Sequence, residues 1–365
     1  MTPDQPATAT VTGQATVAAG VRRTPAVDLF LLAAHGIPAT VDYARAAEAA
    51  GFGGVWLAEH HFISYGRCPS ATTLAGYLLG ATSRLAVGTA AATLSTRHPV
   101  ALAEEAILLD AASGGRFRLG VARGGPWVDL EVFGTGLRRY RHGFAESLDL
   151  LRRWLSGAAT VDADGEFFSF RPVPVVPRPA GHVPVWVAAT SPPTVALAAS
   201  RGLPLLLGVQ DDDAAKAVTL ARYAEVAAAH GHDPTTVPHA SVHLVGLADD
   251  RAAAQRRLRR ELPPWLATTR EYVRIDGSPP AHRDLDAYVE HLLRVHPVGS
   301  AVECADRLAA SAATTGVHRL LLMVEGAGAG ATADLVAALG TDVLPRITAT
   351  EHRAAAELPA ALTRG

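Results

Sequence analysis

Lysine is almost absent from this chain of 365 residues: Lys216 stands alone and arginine carries the rest of the basic charge. The formal net charge of −2 leaves no electrostatic footprint for nucleic acid or an anionic membrane. With the abundance of alanine and proline, the arginine bias reads as a GC-rich coding sequence rather than a binding surface. Cysteine is scarce too. Cys68 and Cys304 lie far apart, which argues against a disulfide framework, excludes a cysteine-based metal motif, and points to a reducing, cytoplasmic compartment. No apolar run is long enough to span a bilayer. Residues 1–24 lack the basic start and long apolar core of a secretory signal. They read as a disordered tail, 351–365 as a second tail, and 25–350 as a single domain. A Gly-x-Gly-x-x-Gly run is also missing after the first predicted strand, which argues against an open, doubly wound nucleotide-binding sheet.

Against these absences stands a regular alternation of strand and helix. Strands are predicted at 27–33, 54–58, 84–90, 116–121, 183–188, 203–207, 238–247 and 320–324. Helices are predicted between them, with Thr40 and Ser70 as caps and Gly51 as a terminator. One helix is predicted over 138–155, and a Pro-rich, hairpin-like excursion over 166–179. Eight such units call for a parallel α/β sheet with right-handed crossovers, closed as a TIM (β/α)8 barrel. The largest insertion, 251–316, lies between strands 7 and 8. It carries two Pro-rich breaks, Pro263-Pro264 and Pro279-Pro280, and reads as a lid or a partner surface.

The second strand ends in Glu59-His60-His61. In a parallel barrel the C-terminal strand ends carry catalytic groups, and two imidazoles with a carboxylate there are suited to proton transfer. Each has a plainer reading as well: a histidine holding a backbone carbonyl, a glutamate accepting from a neighbouring backbone group or arginine. Arg123, in a Gly-flanked turn after strand 4, and Ser191 with Thr194, at the start of the helix after strand 5, together suit one phosphate. Taken singly, Arg123 suits a pair with Glu131, Ser191 is an ordinary N-cap, and His98 before Pro99 is a helix-start residue.

The pieces Val55–Phe62, Tyr77–Thr82, Val87–Ala91, His98-Pro99-Val100, Leu108-Leu109-Asp110, Gly115–Arg118, Arg123-Gly124, Pro297-Val298-Gly299 and Glu325 occur in one order. As a set they resemble the bacterial luciferase-like flavin monooxygenase family. The resemblance implies a TIM barrel that uses reduced FMN and O2 to oxygenate an organic substrate through an oxygen adduct of the flavin. It implies His60 as catalytic base, His61 as its neighbour, and Arg123, Ser191 and Thr194 on the FMN phosphate. Glu59 and Glu325 would line or support the flavin site, and Ala90-Ala91 would form a cis peptide beside the isoalloxazine. It implies a separate NAD(P)H:flavin reductase, a small-molecule substrate, and a dimer, taken as a homodimer, that packs through helices of the second and third units. No metal is implied. Ala122, Pro126, Thr190 and Val209 depart from the pattern, where the luciferases carry a cysteine, a tyrosine, an acidic residue and a tryptophan. Those departures shift the expected reaction from long-chain aldehyde oxidation toward hydroxylation or epoxidation of a secondary metabolite. A deazaflavin-dependent oxidoreductase and a non-catalytic flavin-binding protein of the same fold stay open beside it.

Overall fold

The computed structural model describes residues 24–269, 284–326 and 328–347. Eight parallel strands follow one another round a closed barrel: β1 Ala26–Leu31, β2 Gly54–Leu57, β3 Ala86–Thr89, β4 Phe117–Ala122, β5 Val185–Ala188, β6 Leu205–Leu207, β7 Ala240–Leu244 and β8 Arg319–Met323. Strand β8 pairs with both β7 and β1, and the β3–β4 pairing completes the ring. The TIM-barrel expectation holds. The outer helices are α1 Ile37–Ala50, α2 Ala71–Ala81, α3 Pro99–Ser113, α4 Phe144–Leu155, α5 Pro192–Ala199, α6 Asp213–Ala229, α7 Ala301–Thr315 and α8 Ala329–Ala338.

Strands buried on both faces read as continuous apolar runs, and alternate residues feed two cores. Val55, Leu57, Val185, Val187, Leu205, Leu207, Leu320 and Leu322 point outward to the helices. Trp56, Trp186, Leu206, Val242, Leu321 and Met323 fill the barrel interior. The Trp56 and Trp186 rings meet edge-on at 5.1 Å. Gly88 makes room for them, since a Cβ there would lie 2.6 Å from the Trp56 ring. Asp28 accepts from Trp56 Nε1 at 2.7 Å and from Arg319 Nη1 at 2.6 Å, which makes a polar barrel floor.

Several local expectations change. Helix α1 starts at Ile37 with Gly36 as its N-cap, and Thr40 lies inside the helix with Oγ1 donating back to the Gly36 carbonyl at 2.9 Å. The helix predicted over 138–155 is two, Gly136–His142 and α4, parted at Gly143, where a Cβ would crowd the Arg139 carbonyl and Phe167. The excursion is an antiparallel hairpin of Thr160–Asp164 with Ser169–Pro174, so it starts earlier than predicted. Residues 238–247 split in two. β7 stays in the barrel, and Gly246–Leu247 pairs with Val298–Gly299 in a separate two-stranded sheet.

The insertion is smaller than 251–316, because α7 is the barrel's own seventh helix, begun by a capping box of Ser300 and Glu303. What remains is helix Arg251–Thr268 packed on helix Leu285–Val295. Pro263-Pro264 sits within the first of these rather than ending it, while Pro279-Pro280 and both tails lie outside the described residues. Leu258, Leu262 and Leu266 join the interior core beside Leu32, Leu244 and Met323, so the insertion packs over the C-terminal end of the barrel.

Closure at β3–β4 depends on a side chain. Thr89 Oγ1 donates to the Gly120 carbonyl at 2.6 Å and accepts from the Gly120 N–H at 2.9 Å, both buried. Thr89→Val keeps the shape and strands both backbone groups. Urea unfolding should show a loss of about 3 kcal/mol, and a loss below the error of the measurement would mean that the seam closes without this residue.

Candidate active site

The mouth is organised round the residues that follow β2. Glu59 is fully buried. Its Oε2 accepts from the Ala71 N–H at 2.9 Å and its Oε1 from the Thr93 N–H at 2.9 Å. Arg97 Nη2 stands 3.3 Å from Oε2, and His61 Nε2 is 3.8 Å from Oε1, an ion-pair distance too long for a hydrogen bond. Burial pushes the Glu59 carboxyl up, but His61, Arg97 and the two backbone donors together outweigh it and hold the group below the usual carboxylate range. Both oxygens are engaged in holding the mouth together.

His60 packs on Tyr65, with ring centroids 4.7 Å apart, and on Gly66, where a Cβ would run into the imidazole. Its Nδ1 is buried and has no hydrogen-bond partner among the described residues. Burial lowers its pKa to about 4, with Glu59 pulling up and His61 pushing further down. His60 is therefore a neutral imidazole at ordinary pH, the state a general base needs.

His61 turns toward a cleft of about 430 Å3 lined by His61, Phe62, Pro69, Thr96, Arg97 and Phe133. Its ring lies 4.9 Å from Phe133, edge to face. A larger groove, about 530 Å3, runs by Leu247–Asp249 and α8 and is lined by none of the candidate residues.

Arg123, at the end of β4, donates from Nη2 to Thr194 Oγ1 at 3.2 Å, and Ser191 Oγ lies 3.0 Å from the same hydroxyl. The three residues assigned to a phosphate thus meet. Ser191 does not cap α5 with its side chain, and Arg123 forms no ion pair with Glu131 among the described residues. Arg123 instead lies over the rings of Tyr140 and Phe144, at 5.8 and 5.5 Å. Its Nε is buried without a partner among the described residues, as is Ser95 Oγ. Gly124, at φ 91°, packs against Ser95 and Thr93, where a Cβ would collide with both.

The Ala90-Ala91 peptide is cis. Both alanines pack against the interior core, with Trp265 and Tyr288 of the insertion also at its edge. Across the mouth Glu325, at the end of β8, accepts from the backbone N–H of Leu32, and from that of Ala34 at 3.0 Å. Burial pushes its pKa up, against the pull of those donors.

The chain matches the luciferase-like monooxygenase family over residues 14–319. It belongs to that family. The alkanal monooxygenase alpha chain of Photorhabdus luminescens is 33% identical, over 79% of this chain and 85% of the relative. Three solved structures share the fold. A monooxygenase from Streptomyces bottropensis superposes with a TM-score of 0.77 at 23% identity, over 88% of this chain and 99% of that one. An F420-dependent secondary alcohol dehydrogenase gives 0.72 at 17%, over 89% and 99%. The oxygenating component of a Pseudomonas putida Baeyer-Villiger monooxygenase, solved with FMN, gives 0.71 at 18%, over 88% and 98%. Among the described residues no helix is long and apolar enough to cross a membrane, and no group of three or more His, Cys, Asp or Glu is placed to hold a metal ion.

Sequence reasoning missed Arg97, Ser95 and Asp129. Arg97 ties Glu59 to Ser70, Thr72 and Glu105. Asp129 reads in sequence as an ordinary acid in the first turn of a helix, yet it is 4% exposed.

The lowered pKa of His60 sets a sign for stability against pH. The unfolded chain takes up a proton near 6.5 and the folded one only near 4, so folding loses free energy as pH falls between those values. Urea unfolding across that window should show His60→Gln abolishing about 2–3 kcal/mol of the parent's acid-induced loss. Parallel curves for the two proteins would refute the burial of a neutral His60.

Proposed function

We propose that this chain is a two-component flavin monooxygenase that takes reduced FMN from a separate NAD(P)H:flavin reductase and uses O2 to oxygenate a small organic substrate. The carrying observation is the pairing, at one barrel end, of a neutral buried His60 with an Arg123–Thr194–Ser191 cluster. The residues fit the cofactor on grounds internal to the structure. Buried Arg123 Nε and Ser95 Oγ lack partners among the described residues, which leaves two donors for a bound phosphate. Ala90 and Ala91 present small apolar surface for a flat ring. Arg123, Ser191 and Thr194 would hold the phosphate. When bound, the reduced flavin supplies the electrons that activate O2. His60 then moves the proton through its free Nδ1, Glu59 and Glu325 keep the mouth loops in place, and the insertion helices exclude water.

The loss of the luciferase pattern at Ala122, Pro126, Thr190 and Val209 favours hydroxylation or epoxidation of a secondary metabolite over long-chain aldehyde oxidation. Exposed Tyr77 on α2 and Leu108 on α3, 62% and 63% accessible, support a homodimer through those helices. A reducing cytoplasm suits two cysteines that are both buried and unpaired.

The test is anaerobic loading with reduced FMN and rapid mixing with oxygenated buffer, following flavin absorbance and light, with and without decanal. A long-lived absorbance phase between the reduced and oxidised forms is expected, slowed or abolished in His60→Gln. Absence of affinity for FMN in either redox state would favour a deazaflavin enzyme instead. Tightly held flavin that only reoxidises at once, with decanal and aromatic substrates alike, would mean a binding protein. If His60→Gln turns over at the parental rate with FMN bound, the base assignment fails.

Arg123→Ala should weaken FMN at least about tenfold in titration calorimetry while leaving riboflavin affinity unchanged. Equal losses for both ligands would show that Arg123 does not read the phosphate.

A further inference from the structure

The larger groove, about 530 Å3, stands apart from the mouth: none of the candidate flavin-site residues lines it. It lies between α8, the start of α7 and the insertion helix Arg251–Thr268. Two ties fix the insertion side of it. Gly246–Leu247 pairs with Val298–Gly299, and Arg251 Nε meets Glu303 Oε1 at 3.0 Å, which holds the insertion helix to α7 at its first residue. On the other side α8 packs on α1 and continues into a π-helical turn, Leu339–Val343. Gly340 in that turn presses on Ala50, where a Cβ would lie 2.4 Å from the Ala50 side chain. With both walls held, the space between them stays open because α8 lines it with alanines, Ala331 and Ala338.

The groove's chemistry is uneven. Leu247, Ala301 and Leu335 give it apolar surface and are buried or half-buried, and Val302, 49% exposed, extends that surface outward. Asp249, Asp334 and Asp342 also line it, and all three are exposed, so the acids stand at the rim and the apolar surface lies deeper. They come from three segments: the loop before the insertion helix, α8, and the π-helical turn. Neither Asp249 nor Asp334 takes an ion pair or a side-chain hydrogen bond among the described residues. Arg257 is in the wall too, but its Nε faces Glu261 Oε2 of its own helix at 3.6 Å. Carboxylates are therefore in excess.

We propose that this groove is a second binding site, for a small organic cation: a primary amine carried on an apolar, ring-sized body. The body lies on Leu247, Ala301 and Leu335, and the ammonium meets the aspartates at the rim. The volume is in the range of small-molecule sites. Among the described residues no three acids stand close enough to hold a metal ion, and a bare ion has no use for the apolar surface between them. An exposed carboxylate alone attracts an ammonium weakly in water. Here the apolar contact brings the ligand down and the excess of acid selects its charge, so an anion of the same shape is repelled. The site does not depend on the flavin reading.

Titration calorimetry on the full chain, in phosphate buffer of low ionic strength, tests this with phenethylamine as the probe. Phenethyl alcohol and phenylacetate serve as its neutral and anionic counterparts. Phenethylamine should saturate with a dissociation constant of about 1 mM or below. The alcohol should bind about fivefold more weakly, and phenylacetate should give no saturable heat. An amine that does not saturate, or that binds no better than the alcohol, overturns the proposal. Variants at exposed positions then locate the ligand. Asp249→Asn with Asp334→Asn should weaken the amine about threefold, and Ala331→Trp, which fills the groove from α8, should abolish its binding. Parental affinity in either variant puts the amine elsewhere and overturns the proposal. The same titration with FMN present should give an unchanged constant, and displacement of the amine by FMN would move it to the mouth and overturn the proposal as well.

Discussion

A buried carboxylate is costly, several kcal/mol even after the protein relaxes round it, and the mouth of this barrel is arranged to satisfy one. Glu59 reaches the N-terminus of α2 through Ala71, the segment after β3 through Thr93, and α3's approach through Arg97. Three chain segments converge because each supplies a donor that the acid would otherwise lack. The functional geometry follows from that convergence. Thr93 is two residues past the cis Ala90-Ala91 peptide, so anchoring its N–H fixes where those alanines sit. His60 and His61 follow Glu59 directly, so their rings are aimed by its position.

The opposite rim uses the same chemistry. Glu325 leaves β8 and gathers the backbone N–H groups of the loop after β1, where Ala33 takes a positive φ of 54°. Two carboxylates thus hold the loops on the β8–β1–β2–β3 side by backbone donors, which tolerate little movement. The β7 side is closed differently, by Leu258, Leu262 and Leu266 laid over the interior core. Apolar contact is non-directional, so this side can shift without breaking specific bonds. The rigid half carries the proposed proton chemistry, and the adaptable half faces whatever substrate enters.

How much of this was legible in the sequence depends on the range of the interaction. The caps at Gly51 and Ser70 and the His98 helix start were readable, because each is settled within about four residues. The eight strands were readable because burial on both faces leaves unbroken apolar runs. The meeting of Arg123 with Ser191 and Thr194 followed from barrel order. Glu59 was left between two roles, since the choice turns on donors 12 and 34 residues away. Asp129 was invisible, as nothing local distinguishes a buried acid in a first helical turn from a solvated one. The extent of the insertion was misjudged because the local signals of α7, its Ser300–Glu303 capping box and Gly316, show a helix but not that it packs on α6 and the barrel.

The placement of charge explains why these pieces sit together. The proposed phosphate site wants unpaired cation, and the proposed general base at the same end of the barrel wants the reverse, a neutral ring. Arg123 meets the first need by leaning on aromatic faces and a hydroxyl instead of an acid. A carboxylate on it would compete with phosphate. Arg97 meets the second need by being fully paired, to Glu59 and Glu105, so that its charge does not reach outward as a free cation. Dropping Glu59 would leave two buried backbone donors without an acceptor and Arg97 balanced by Glu105 alone. The carboxylate that builds the mouth is therefore also what lets cation and neutral base share it.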